Sequence, residues 1–154
     1  MIRSYVHDEN AYSLGGVAGH AGLFSTAKDL GVFSQMMLNT GLYGWKRIFK
    51  PETVDLFTKR ANIIKGSSRC LGWDSPSGKA SGGVYLSDSS FGHTGFTGTS
   101  LWIDPENDVI VIAKFKNRNS MSEFTKKLLS MTHVERTNSR IVLNTVKEDF
   151  RFQA

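Results

Sequence analysis

Five consecutive apolar residues, Val109 to Ala113, constrain this chain more than any other feature. Four of the five are β-branched. So short and so β-branched a run is a strand covered on both faces rather than one side of a helix. Pro105-Glu106-Asn107-Asp108 precedes it, and "TGTSLWID" (97–104) precedes that turn. Segments 97–104 and 109–115 should therefore pair as an antiparallel hairpin. A strand buried on both faces needs further neighbours and layers on either side. Segments 91–95 and Leu71–Asp74 are the expected partners, giving a mainly antiparallel sheet of the 71–74, 91–95, 97–104 and 109–115 segments.

The layers should be helical. Residues 1–14 read as extended or irregular, and 15–24, "GGVAGHAGLF", as a loop whose four glycines allow close approach to backbone or ligand. A helix should start near Thr26, with Leu30, Phe33 and Met37 on one face, and end at Asn39-Thr40-Gly41 with Gly41 as C′. A second should open at Pro51, which suits N1. Val54 and Phe57 would form its inner face, with Lys59-Arg60 at its negative end. The tail from Ser122 reads as helix, with Leu128, Leu129, Ile141, Val142 and Val146 against the sheet. The expected class is α+β, one domain over 1–154: a helical region at 15–60, a sheet region at 71–118 and a helical tail at 122–150.

Composition removes several function classes. The chain has 154 residues, 40% hydrophobic and 21% charged, which suits one globular domain. No apolar run approaches the ~20 residues that span a bilayer. "MIRSYVHDEN" lacks the apolar core of a signal peptide, so the chain as given carries no targeting signal and reads as cytoplasmic. Cys70 is the single cysteine, excluding an internal disulfide, and its apolar neighbours point to a buried thiol. No histidine pair has zinc spacing, so no metal and no cofactor is expected. Net charge is +5, with basic residues gathered late, from Lys114 to Arg140. Glu123 and Glu135 interrupt them and no nucleic-acid motif accompanies them, so a solvated face is expected rather than a nucleic-acid partner.

Two stretches carry chemistry. "GHAGLFSTAKDL" contains Ser25-Thr26-Ala27-Lys28, a literal S-x-x-K. Such a serine can be a nucleophile activated by its lysine. It can equally supply the side-chain oxygen that a helix N-terminus needs, and Thr26-x-x-Asp29 has the form of a capping box with Asp for Glu. In "FGHTGFTGTSLWID", His93-Thr94-Gly95 puts an imidazole, a hydroxyl and unhindered backbone at a strand's start. Gly95 and Gly98 would let an extended ligand lie against the strand, and a free N–H near Phe96 could polarise a carbonyl oxygen. The competing reading is a glycine-bearing edge strand with a satisfied histidine.

The second stretch, extended as "GHTGFTGTSLWIDPENDVIVIAKFKNR", resembles the C-terminal strands of the serine β-lactamase-like superfamily, in its class C β-lactamase, penicillin-binding-protein and esterase branch. There a K-T-G or H-T-G strand borders the active site and a hairpin follows, often ending in Asn-Arg; here these are His93-Thr94-Gly95 and Asn117-Arg118. "VHDENAYSLGGVAGHAGLFSTAKDL" resembles the same family's glycine-rich loop beside the cleft, and "IFKPETVDLFTKR" a recurring helix. The resemblance covers roughly residues 5–118. It implies a serine hydrolase that cleaves an amide or ester through an acyl-enzyme, with a small-molecule substrate. It further implies His93, Thr94, Gly95 and Phe96 as cleft wall and oxyanion N–H, and Gly19 and His20 as substrate-binding.

In that family the nucleophilic S-x-x-K lies far upstream, and the Ser-Thr of the "GLFSTA" pattern is a helix cap. By the resemblance, Ser25-x-x-Lys28 is a coincidence and the chain holds only the C-terminal part of the hydrolase. The family's Tyr-x-Asn is not found either; Ser87-Asp88-Ser89 lacks the Asn. The chain alone is then expected to be inactive, and to self-associate or to pair with an N-terminal portion. The alternative is a non-catalytic binding or structural module that keeps the cleft wall. The parent family is often periplasmic or in the cell envelope.

Overall fold

The computed structural model describes residues 5–77, 86–114, 140–144 and 152–153. It is an α+β arrangement, a mostly antiparallel sheet carrying helices. The elements run α1 (Glu9–Ser13), β1 (Phe24–Ser25), α2 (Ala27–Leu38), β2 (Leu42–Tyr43), β3 (Lys46–Arg47), α3 (Pro51–Thr58), β4 (Phe91–Thr94), β5 (Thr99–Asp104), β6 (Val109–Lys114), β7 (Arg140–Asn144) and β8 (Phe152–Gln153). The main sheet has the order β4-β5-β6-β7; β1 pairs with β8 and β2 with β3 in two small ribbons.

The expected hairpin forms, with Asp104 opposite Val109 and Thr99 opposite Lys114. Residues Val109 to Ala113 are all buried, as a central strand requires. The period of two sorts the side chains by face. Ile110 and Ile112 pack with Ala27, Leu30 and Leu38 of α2, while Val109 and Val111 join Trp102 and Leu86 on the opposite face. Met36, Met37, Val54, Phe91 and Ile103 form a cluster between the two longer helices and the sheet.

The buried Asp104 closes the hairpin turn. Its carboxylate accepts from the Ser87 N–H and hydroxyl, the Asn107 amide and N–H, and the Glu106 N–H. Burial alone would raise its pKa, but the bonds from Ser87 and Asn107 outweigh that and hold the carboxyl below its ordinary range.

Several expectations change. Residues 1–14 are not wholly irregular: Asp8 caps the short α1 through the Ala11 N–H at 2.8 Å. Leu71–Asp74 is not a strand, because Asp74 alone reaches the sheet, exchanging N–H···O bonds of 2.8 and 2.9 Å with Gly92. A residue bearing a Cβ at Gly92 would collide with the Leu101 carbonyl and the Trp102 ring. Arg140–Asn144, placed in a helical tail, is a strand parallel to β6, pairing Val109 with Arg140 through Ala113 with Asn144. The β-branched Ile141-Val142 pair favours that ladder over a helix. The rest of 122–150, His133 and Asn117-Arg118 lie outside the described residues. Phe57, expected on the inner face of α3, is exposed; Val54 alone of that helix is buried.

Both ends of α2 obey local rules. The Thr26 hydroxyl accepts from the Asp29 N–H at 3.1 Å and donates to the Asp29 carboxylate at 2.8 Å. At the other end the Thr40 N–H bonds the Met37 carbonyl and the Gly41 N–H the Met36 carbonyl. These are the paired bonds of a Schellman motif with Asn39 as C-cap, so C′ is Thr40, at φ 51°, and Gly41 is one residue beyond.

Candidate active site

One cleft of about 380 Å³ lies where the loop before α2 faces the end of β4. His93, Thr94, Gly95 and Phe96 line one lip; His7, Asp8 and His20 line the other; Leu30, Phe33, Trp73 and Leu101 supply an apolar floor. Of the residues singled out from sequence, Gly19 falls outside the cleft, in a separate shallow depression of its own loop.

Among the described residues, the first lip is an outer sheet edge. β4 is an outer strand, paired with β5 on one side and touched by Asp74 at Gly92 on the other. Alternation along the strand turns the Thr94 backbone the same way as that of Gly92, beyond the reach of Asp74. Gly95 then bonds back to the Thr99 carbonyl, and Gly98, at φ +83°, completes the turn. The Phe96 N–H has no acceptor among the described residues, and its ring is 78% exposed.

The two cleft histidines differ in what their ring nitrogens do. His93 Nδ1 lies 2.7 Å from the Thr94 carbonyl and Nε2 lies 3.0 Å from Arg69 Nη1. A carbonyl only accepts and a guanidinium only donates, so Nδ1 carries the hydrogen and Nε2 accepts. Both nitrogens are engaged and the ring is fixed as part of the wall. His20 Nε2 lies 2.9 Å from Asp8 Oδ1. The hydrogen bonds from the Ala11 N–H and then His20 hold Asp8 below the usual carboxylate range, so it is ionised and can only accept. His20 Nε2 therefore donates. Its Nδ1 has no partner among the described residues.

The lips touch each other. The His7 ring stacks on Phe96, centroids 5.5 Å apart and planes inclined by 29°. His7 is exposed and also a cleft residue.

Ser25 also lines the cleft, and it is not the helix cap. Its hydroxyl donates to the Thr26 carbonyl at 3.4 Å, and no hydrogen bond joins it to Lys28. Among the described residues, the S-x-x-K string thus gives a serine with no base hydrogen-bonded to it. Cys70, buried, directs its thiol at the Thr58 carbonyl 3.1 Å away, and burial pushes the thiol up.

Arg69 and Asp8 were not singled out from sequence. Asp8 had a local signal, an acidic residue before Glu9-Asn10-Ala11 in the position of a helix cap. Arg69 had none, because its contact with His93 spans 24 residues.

No helix among the described residues is long and apolar enough to cross a membrane. The Beta-lactamase family model matches residues 3–132. Proteins from Salmonella paratyphi B and Salmonella newport are each 46% identical over 112 residues, covering 70% of this chain and 25% of theirs. One from Salmonella gallinarum is 45% identical over 111 residues with the same coverage. All three carry the provisional name D-alanyl-D-alanine carboxypeptidase. The chain spans a quarter of the length of these relatives.

Proposed function

The chain belongs to the β-lactamase family, and on that premise we propose that its cleft is the acyl-holding wall of a serine hydrolase that cleaves an amide or ester through an acyl-enzyme. One observation carries the reading: the Phe96 N–H, which has no acceptor among the described residues, and the outer edge of Thr94, whose carbonyl accepts from His93, border the same apolar-floored cleft as His20. The Phe96 N–H would hold the carbonyl oxygen as negative charge develops there, the interaction that most lowers an acyl-transfer barrier. Gly95 leaves room for an extended ligand beside Thr94. His93 shapes the wall and is not a base, since its acceptor nitrogen is occupied by Arg69.

These residues bind and polarise; none of them is an activated nucleophile. Among the described residues Ser25 has no base, so on this reading the serine, its lysine and the tyrosine would come from another portion of the hydrolase. Pairing with that portion would cover apolar side chains near the cleft that are now exposed, Leu23 and Phe24 among them. The share of the relatives' length that the chain spans equally favours a second reading, a binding module that keeps the wall without chemistry.

The relatives' name suggests the probe. Titrating the 15N-labelled chain with acetyl-D-alanyl-D-alanine should move the backbone amide signals of His93 to Phe96 and of His20. Saturating shifts confined to residues outside the cleft, or none at millimolar ligand, would refute the proposed wall.

A further inference from the structure

The β2–β3 hairpin takes no part in the cleft, since none of residues 42–50 lines it. Its sequence, "LYGWKRIFK", joins five apolar or aromatic side chains to three bases and contains no acid. The ribbon is firmly held. Leu42 pairs with Arg47 and Tyr43 with Lys46, and Gly44, at φ +57°, takes the first central position of the two-residue turn. The foot of the hairpin is tied to the end of α2, where the Gly41 carbonyl accepts from the Ile48 and Phe49 N–H groups at 2.8 and 3.2 Å. Arg47 Nη1 donates to the Thr40 and Phe49 carbonyls at 2.9 and 3.0 Å.

This frame holds Trp45 at its tip, 99% exposed. Tyr43, Ile48 and Phe49 are exposed as well, and Phe49 and Phe57 border an apolar hollow of about 230 Å³. Single exposed apolar side chains are ordinary, but four on one short ribbon mark a contact surface.

The charges say what contacts it. Tyr43 and Lys46 stand directly opposite each other, so they share one face of the ribbon beside the Trp45 tip. Lys46 and Lys50 have no carboxylate partner among the described residues, and Arg47 meets only neutral carbonyls. Across 41–60 five bases outnumber two acids, Glu52 and Asp55, and Asp55 is already paired with Lys59 at 2.9 Å. A protein surface that buried Trp45 would have to desolvate these cations or supply acids for them. A bilayer of anionic lipid requires neither. Indole rings settle at headgroup level, while Lys and Arg heads stay hydrated beside the phosphates.

We propose that the β2–β3 hairpin docks on an anionic lipid surface, with Trp45 inserted at headgroup level and Lys46, Arg47 and Lys50 against lipid phosphates. The acyl-holding role proposed above is independent of this one, because the hairpin lies outside the cleft.

The test is cosedimentation of the chain with vesicles of phosphatidylcholine alone, or with about 30% phosphatidylglycerol, in about 0.1 M salt. Each base near such a surface contributes about 5-fold, so partition to the anionic vesicles should exceed that to the neutral ones about 10-fold or more. Salt at about 0.5 M should remove most of the difference. Trp45→Ser should lower partition to anionic vesicles about 10-fold, and Lys46→Gln with Lys50→Gln by about as much or more. These side chains are exposed, so the variants should keep the unfolding transition of the unmodified chain. Lipids brominated in their acyl chains should quench the unmodified chain and not Trp45→Ser, in which only the more buried Trp73 and Trp102 remain.

Failure of the folded chain to bind either vesicle overturns the proposal. So does binding that Trp45→Ser leaves unchanged, or that neutral and anionic vesicles share equally. A concentration-dependent dimer in sedimentation velocity that Trp45→Ser dissolves would assign the hairpin to a second copy of the chain, and overturns it too.

Discussion

Removing the Asp104 carboxylate tests how the sheet that carries the site is closed. Asp104 is 1% exposed and accepts from Ser87, Glu106 and Asn107, with three contacts of 2.6, 2.8 and 2.9 Å and two of 3.2 Å. Hydrogen bonds to a charged group contribute about 1.5–3 kcal/mol each and do not add, and no cation pairs with it among the described residues. Asp104→Ala leaves those donors facing a void, so the loss should be about 3–5 kcal/mol. Asp104→Asn keeps one acceptor but turns an NH2 toward a donor, and should lose about 1–3 kcal/mol. A domain of ordinary stability, about 5–15 kcal/mol, would survive the second change more surely than the first.

The same carboxyl gives the effect a pH signature. Its folded pKa lies below the ordinary value of 3.8, so its contribution is fully present above that value and is lost as pH falls through the lower folded one. Urea unfolding followed by circular dichroism at several pH values between about 3 and 7 measures it. The gap between the unmodified chain and Asp104→Asn should be constant above about pH 5 and shrink below about pH 4. Asp8, also held low, stays in both proteins and cancels in the difference. A gap that does not change with pH, or an Asp104→Ala loss under about 1 kcal/mol, would refute the reasoning.

Two shorter predictions concern the elements beside the cleft. Thr26→Ala should cost about 1 kcal/mol by chemical denaturation and Ser25→Ala less than about 0.5, because the cap is the threonine; equal losses would contradict that assignment. Gly92→Ala should destabilise by about 1–3 kcal/mol, since its methyl meets the Leu101 carbonyl and the Trp102 ring. A neutral outcome there would mean that β4 and β5 sit further apart than the structure places them.

Local chemistry made much of this fold legible. The Val109–Ala113 run, its turn and the Thr26 cap each rest on residues near one another in sequence, and each is found where the pattern puts it. The Schellman end of α2 shifted by one residue because Thr40 takes the left-handed conformation usually left to glycine. Arg140–Asn144 was misread because a short apolar run fits a helix face or a buried strand equally, and only its pairing with β6 decides. Within the site, the strand-start string marked His93 to Phe96, and the small-residue loop marked His20. The partners that set the two imidazoles, Arg69 and Asp8, are brought in by folding across 24 and 12 residues. No periodicity or spacing records such contacts. The same gap explains why Ser25 could be read as the cap, when its hydroxyl reaches the Thr26 carbonyl and Thr26 caps the helix.

We propose that the described residues form the wall of an acyl-transfer cleft and include no activated nucleophile. Incubation with a labelled penicillin and with a fluorophosphonate, followed by intact-mass measurement, tests it directly. Circular dichroism run alongside must show the helix and strand content of a folded chain. Loss of a family's nucleophile removes several orders of magnitude of rate and leaves only binding and polarisation, so the folded chain should keep its unmodified mass with both reagents. A stoichiometric adduct that disappears in Ser25→Ala would contradict the account, making Ser25 a nucleophile despite its lack of a neighbouring base.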